Sequence, residues 1–271
     1  MSLLDRLREI HRVVRDTRAD VEPVRLDPAP ARARLQAGQP LLTGMSVPVD
    51  ARAAGRILNE ICRIVGGPEA LRFGASVQDR PVAFQAVAEA IVAGRDPALV
   101  EARGVSPEFL AFALLAALRP SFRCHAERLQ PLTEEVAWHR ALCPICGSVP
   151  SLAELRGEPG RRYLRCALCE GVWRVPRLRC PFCGTTDHTQ LRFLRIENDM
   201  GMRLDLCEAC RHYLKTRILP GGEADTDPFG RDLATLHLDA LAWEQGYIGG
   251  SQPVSHLGSP TQMKGSCLAV Q

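Results

Sequence analysis

A chain of 271 residues with 46% hydrophobic and 24% charged side chains can form one large domain or two to three small ones, and is too apolar to be largely disordered. Its formal charge of +3 counts every cysteine as a neutral thiol. If eight of the eleven cysteines bind two divalent ions as thiolates, each site carries about −2 and the chain becomes near neutral or slightly acidic, which weakens a general electrostatic case for nucleic acid.

Asp5, Arg6, Arg8 and Glu9 interrupt the first residues where an export signal would need an apolar run, and no stretch of about 18 uncharged apolar residues occurs. The expected location is therefore cytoplasmic, without membrane insertion. In such a reducing compartment the cysteines point to metal binding or redox chemistry rather than to a disulfide framework.

Leu3, Leu4, Leu7, Ile10, Val13 and Val14 recur at helical spacing and predict an amphipathic helix over 3–20. Residues 22–48 hold Pro23, Pro28, Pro30, Pro40 and Pro48 and read as an extended connection over the domain surface. A helix follows from the N-cap Asp50 through Ile57, Leu58, Ile61, Ile64 and Val65 to the stop at Gly66 and Gly67, and a second is expected from Pro81 to Ala93. Ser106 as N-cap and Pro107 at the first helical position open a third, apolar almost all round and thus central, ending at Pro120. Residues 121–140 predict a further helix interrupted near Pro131, with Trp138 as a core anchor.

At residue 143 the helical period stops. Short β-prone runs appear at Tyr163 to Arg165, Val172 to Val175 and Leu191 to Ile196, so a domain boundary is expected near 140. Asp232 then caps a helix carrying Leu233, Leu236, Leu241 and Trp243, ended by Gly246, and residues 249–271 read as a flexible tail.

Four Cys-x-x-Cys pairs lie within 68 residues: Cys143/Cys146, Cys166/Cys169, Cys180/Cys183 and Cys207/Cys210. CPICG followed by RYLRCALC matches CPFCG followed by RLDLCEAC about 40 residues on, so one unit has been duplicated. Sharing within units puts Cys143, Cys146, Cys166 and Cys169 in one metal site and Cys180, Cys183, Cys207 and Cys210 in the other. Cross-bracing of alternate knuckles is the other arrangement the spacing allows. Four thiolates suit tetrahedral zinc or iron alike, and a module of about 40 residues needs such an ion to fold. Cys62 and Cys124 read as buried small hydrophobes, Cys267 as a tail residue, and His188 and His212 as surface or supporting residues. His125 and His139 have no catalytic partner that the sequence identifies. With no phosphate loop, nucleophile elbow or paired-acid motif, no enzyme activity is expected.

RCPFCG at 179–184, DLCEACRHYLKT at 205–216 and DLATLHLDALAWEQGY at 232–247, with LQAGQPLL at 35–42, closely resemble the formate dehydrogenase accessory protein family, FdhE. The resemblance implies a non-catalytic factor required for formate dehydrogenase to become active, binding its catalytic subunit. It further implies rubredoxin-like modules with two iron ions, zinc being the alternative occupant. The expected fold is α+β: an all-helical domain over 1–140, four-cysteine modules over 141–178 and 179–220, and a C-terminal helix with its tail over 221–271. A homo-oligomer is admitted; nucleic acid is not expected as a partner. The competing reading is a nucleic-acid-binding zinc ribbon, with Arg161, Arg162, Arg165, Arg174, Arg177 and Arg179 gripping phosphates; aromatic residues for base stacking, at 5%, are sparse.

Overall fold

The computed structural model describes residues 2–79, 83–95, 105–196 and 199–249. Helix α1 (Leu3–Asp16) opens with a capping box between Ser2 and Asp5 and buries Ile10 and Val14. The proline-rich stretch that follows contains a helix, α2 (Pro28–Gln36), which the sequence reading placed in an extended connection. The reason is positional: Pro28 and Pro30 fall in the first turn, where no intrahelical bond needs their missing N–H groups. Nor does the rest of this stretch stay on the surface. Leu41 and Leu42 are fully buried, and their amides donate to the carbonyls of Pro144 and Ile145 at 2.8 and 2.9 Å.

Helix α3 (Ala51–Val65) starts at Asp50, whose side chain caps the Ala53 amide, and stops at Gly66 as expected. Pro68 then opens α4 (Pro68–Asp79), which the double glycine had concealed. Of the helix expected over 81–93, the described part is α5 (Phe84–Val92); Pro81 lies outside the described residues, as does Cys267. Helix α6 (Pro107–Leu129) runs straight through Pro120, where the sequence reading ended it. A proline inside a helix costs about 3 kcal/mol, and here the next two turns offset it by burying Phe122, His125, Ala126 and Leu129. A 3-10 turn (Gln130–Thr133) then takes the chain to Trp138, which is buried as expected.

The second half forms one seven-stranded sheet. Its first ribbon is β1 (Pro150–Arg156), β2 (Arg161–Cys166) and β3 (Val172–Val175); its second is β4 (Leu191–Ile196), β5 (Asp199–Cys207) and β6 (His212–Leu219). Each is an antiparallel meander, and β1 lies parallel to β6, giving the order β3-β2-β1-β6-β5-β4. A short strand β7 (Ile248–Gly249) continues along β6 beside His212 and Tyr213. The core is continuous from the helices into the first ribbon, joining Leu118, Phe122 and Leu129 to Ile145, Leu164 and Trp173.

The expected C-terminal helix is two short ones, α7 (Pro228–Ala234) and α8 (Leu236–Glu244), broken at Thr235. Leu233, Leu238 and Ala242 face inward while Leu236, Leu241 and Trp243 are exposed. What holds this pair to the sheet is ionic. Lys215 of β6 is buried, with Nζ 2.5 Å from Asp232 and 2.7 Å from Asp239, and the Tyr213 hydroxyl donates to Asp239 at 2.6 Å. Burial alone would lower the Lys215 pKa, but the two carboxylates override it and hold the ammonium above its usual value.

Breaking one member of a buried ion cluster leaves the others uncompensated, at a cost of about 3–5 kcal/mol. Lys215→Met is accordingly expected to lower stability by that order in urea melts, more than Asp239→Asn, which keeps a hydrogen-bonding group against Tyr213. His125 provides a pH test. Its Nδ1 accepts the Val24 amide at 3.1 Å and its Nε2 donates to the Pro48 carbonyl at 2.8 Å, which requires the neutral ring. Burial, only partly opposed by the Pro48 bond, holds its pKa below 6.5. This stability is therefore complete above about pH 6.5 and lost as the pH falls below it. Urea midpoints should drop between about pH 7 and pH 5.5, and His125→Asn should be weaker at the higher pH yet flatter across the range.

Candidate metal centres

Each four-cysteine cluster is built from two knuckles at one end of a ribbon. In the knuckle before β1 the Gly147 amide donates to the Cys143 carbonyl at 3.0 Å, and in that before β4 Gly184 repeats the bond to Cys180 at 3.0 Å. Both glycines sit at positive φ, 79° and 78°, where a side chain would be strained. The other two knuckles place Glu170 and Arg211 at the same position, with φ of 60° and 58°. These residues were not singled out from the sequence, although their place directly after the second cysteine of a pair marks them. Each is held from outside its knuckle: Glu170 lies 3.3 Å from the buried Arg119, and Arg211, paired locally with Glu208, donates to the Gln245 carbonyl at 2.6 Å.

The folding brings the eight sulfurs together within units. Cys143, Cys146, Cys166 and Cys169 form one group and Cys180, Cys183, Cys207 and Cys210 the other, with all sulfurs of a group within 4.8 Å of one another. Contacts of 3.6 Å (Cys143 to Cys169), 3.4 Å (Cys146 to Cys166) and 3.7 Å (Cys180 to Cys210, Cys183 to Cys207) match the edge of about 3.8 Å that a tetrahedron of 2.3 Å metal–sulfur bonds demands. Backbone amides point at the sulfurs: Ile145 at Cys143, Leu168 at Cys166 and Gly171 at Cys169, each at 3.4 Å. Donors aimed at sulfur are what a thiolate needs, so both sets could hold a divalent ion. Burial first, and then the neighbouring sulfurs, push the Cys143 and Cys169 thiols well above their usual range; a bound ion would supply the charge that reverses this.

The two clusters differ in surroundings. All four sulfur residues of the first are at most 1% exposed, enclosed by Ile145, Leu164, Leu168 and Trp173. Gly171 is required there, because a Cβ would lie 2.9 Å from Ile145 and 3.2 Å from the Cys169 sulfur. In the second, Cys183 is exposed and Cys210 half-buried, with His212 stacked on Phe182 at 4.6 Å.

The remaining candidates lie apart from both clusters. Cys62 is buried, and desolvation pushes its thiol up to about 11, while Cys124 is half-buried. His188 and His139 are exposed. The arginines read as a phosphate grip do not form one surface: Arg162 and Arg165 are buried against Asp205 and Glu154, at 3.0 and 2.9 Å, while Arg161 and Arg174 are exposed.

The unequal burial generates a prediction. With both sites loaded, a thiol-competing chelator is expected to remove one equivalent of metal per chain quickly, from the cluster of Cys183, without loss of helical circular dichroism. The second equivalent should leave only with unfolding. Release of both equivalents in one fast phase, with the helices intact, would contradict the assignment.

Comparison with known proteins places this architecture. Residues 142–177 match the family model described as FdhE, central domain, and residues 178–253 match FdhE, C-terminal domain. An FdhE homolog from Aquifex aeolicus is 33% identical over 150 residues, 54% of this chain and 51% of the relative. One from Pseudomonas aeruginosa is 36% identical over 118 residues, 40% and 37%. The chain thus spans about half, or less, of the length of the curated relatives it matches. The crystal structure of the FdhE protein from Pseudomonas aeruginosa superposes with a TM-score of 0.61 at 26% identity, covering 95% of this chain and 88% of that one. Both cysteine modules match FdhE domain models and the superposition includes the helical half, so the chain is similar to FdhE proteins along nearly its whole length.

Proposed function

We propose that this protein is a non-catalytic accessory factor, located in the cytoplasm, that binds the catalytic subunit of a formate dehydrogenase during its maturation. In this reading Cys143, Cys146, Cys166 and Cys169 hold one metal ion, and Cys180, Cys183, Cys207 and Cys210 hold a second, iron in the first instance and zinc as the alternative. The observation that carries it is the pairing of two complete four-sulfur cages with the match to both FdhE domain models.

The ions contribute charge neutralisation and folding free energy where small ribbons lack apolar surface. The chain's own residues fix the cages: glycine or a braced left-handed residue turns each knuckle, and amides orient the sulfurs. The helical domain adds a rigid body around the first cage. Among the described residues no helix is long and apolar enough to cross a membrane.

The test is an anaerobic affinity purification of the tagged protein from its own host, with bound proteins identified by mass spectrometry and metal and nucleic acid quantified alongside. Enrichment of a formate dehydrogenase catalytic subunit, with about two equivalents of iron or zinc per chain, is expected. Recovery of nucleic acid with no oxidoreductase subunit would overturn the reading.

A further inference from the structure

The duplicated ribbons pair their last two strands in the same register relative to their cysteines, and this exposes a difference between them. In each, the residue before the third cysteine of the set pairs with the residue three places after the fourth: Arg165 with Val172, and Leu206 with Tyr213. Val172, Trp173, Arg174 and Val175 of β3 therefore stand where Tyr213, Leu214, Lys215 and Thr216 stand in β6. The outer edge of β6 is fully covered. β7 lies against Tyr213, and β1 runs parallel from Leu152 opposite Lys215 to Arg156 opposite Leu219.

On β3 only the first part of the same edge is covered. The Gln130 side chain acts as a one-residue substitute strand: its Oε1 accepts the Val172 amide at 2.9 Å, and its Nε2 donates to the Val172 carbonyl at 2.7 Å. Two residues on, the Arg174 amide and carbonyl point the same way, since backbone groups alternate along a strand. No partner among the described residues meets them. They open into a cleft of about 1150 Å³ between β3 and the end of α6 with the turn that follows it. That volume is above the roughly 300–1,000 Å³ usual for small-molecule sites.

We infer that the free edge of β3 at Arg174 is a docking site for an extended, acidic peptide segment of the partner, added to the sheet as an eighth strand. Two observations specify the occupant. The equivalent edge of β6 takes an extended strand, β1, so the geometry of this unit is already shown to accept one. The strand side of the cleft is basic: Arg161 and Arg174 are exposed on one face beside Tyr163, and Arg177 follows, while the facing side, at the end of α6 and its turn, carries Glu127, Glu134 and Glu135, so the acidic side chains of the segment belong on the Arg161 and Arg174 face. An unpaired basic edge both attracts acidic chains and resists pairing with a second copy of itself. Residues 250–271 contain no aspartate or glutamate, so this chain's own terminus does not supply the complementary charge. The inference rests on the accessory-factor reading for the identity of the partner, but not for the chemistry of the segment.

Hydrogen–deuterium exchange of the full-length, metal-loaded chain tests it, reading residues 171–177 with and without two probes. One is the recombinant formate dehydrogenase catalytic subunit of the same host; the other is a synthetic ten-residue peptide of alternating glutamate and valine. Each is expected to slow exchange at Arg174. Arg174→Pro deletes the outward donor while sparing the bonds to β2 and should weaken both probes at least tenfold, whereas Arg174→Gln should lose only a few-fold. Arg161→Glu combined with Arg174→Glu should abolish peptide binding. Metal content and circular dichroism equal to wild type would show that a variant has folded, and the exchange data on the wild-type chain decide the matter without any variant.

A catalytic subunit that binds without protecting Arg174, and binds Arg174→Pro within twofold of wild type, would overturn the docking site and leave the accessory-factor reading standing. If the subunit fails to bind the wild-type chain while the peptide protects Arg174, the edge stands and the identity of the partner falls. No protection from either probe overturns the inference. So does protection already present in the free chain that disappears on deleting residues 250–271 or on dilution, which would assign the edge to the chain's own terminus or to a second copy.

Discussion

The structure is organised around four sulfurs packed where no water reaches them. Cys143, Cys146, Cys166 and Cys169 are at most 1% exposed and belong to the same core as Leu118, Phe122 and Leu129. As thiolates, such a cluster needs its charge compensated, and a metal ion is small enough to do so from within. The rest of the first half is arranged to enclose it. Leu41 and Leu42 tie the first knuckle to the chain after α2 through two backbone bonds, Arg119 reaches from α6 to Glu170 at the second, and Arg140 supplies the carbonyl that Trp173 Nε1 meets at 3.1 Å. A helical domain and a small ribbon thereby share one interior instead of meeting across a surface.

The second ribbon is attached by different means. Parallel pairing of β1 with β6 makes one sheet of two copies, and buried charges then lock the layers. Glu154 receives Arg156 and Arg165, Asp205 receives Arg162 and Arg203, and Lys215 receives Asp232 and Asp239. Buried pairs of this kind are a poor source of net stability but a strong specifier of arrangement, because each alternative packing strands a charge. A chain with 32 arginines against two lysines places one of those lysines, the compact charge, at the most enclosed of these sites.

Much of this was legible in the residues. The cysteine spacing and the internal repeat implied the two sulfur groupings that the fold brings together, and glycine after Cys146 and Cys183 announced the tight turns. Helical period and capping located α1, α3 and the start of α6. The misses share a cause, in that a local rule was overridden by position or by packing. Prolines read as breakers at 28 and 30 are starters when they fall in a first turn, and Pro120 is carried by the burial on either side of it. Leu41, Leu42, Lys215, Asp232 and Asp239 all lie in segments quoted for their family resemblance, yet their roles depend on partners distant in sequence. No periodicity encodes those pairings. Gln130 belongs to the same group, since its substitution for a strand is visible only once β3 is beside it.

Duplication usually leaves two copies doing one job, but here the environments have diverged in opposite senses. The first copy has its sulfurs sealed in the core and its outer strand edge free at Arg174 among the described residues; the second has its edge covered by β1 and β7 and its sulfurs open at Cys183. One sheet accounts for both halves of this contrast. Joining β1 to β6 consumes the edge of the second copy, and seating the helical domain against the first copy closes its cage while leaving β3 as a terminal strand. Because both follow from a single arrangement of duplicated units, burial of one cage and exposure of the other need no separate adaptation of the knuckles, whose left-handed turns recur in both copies.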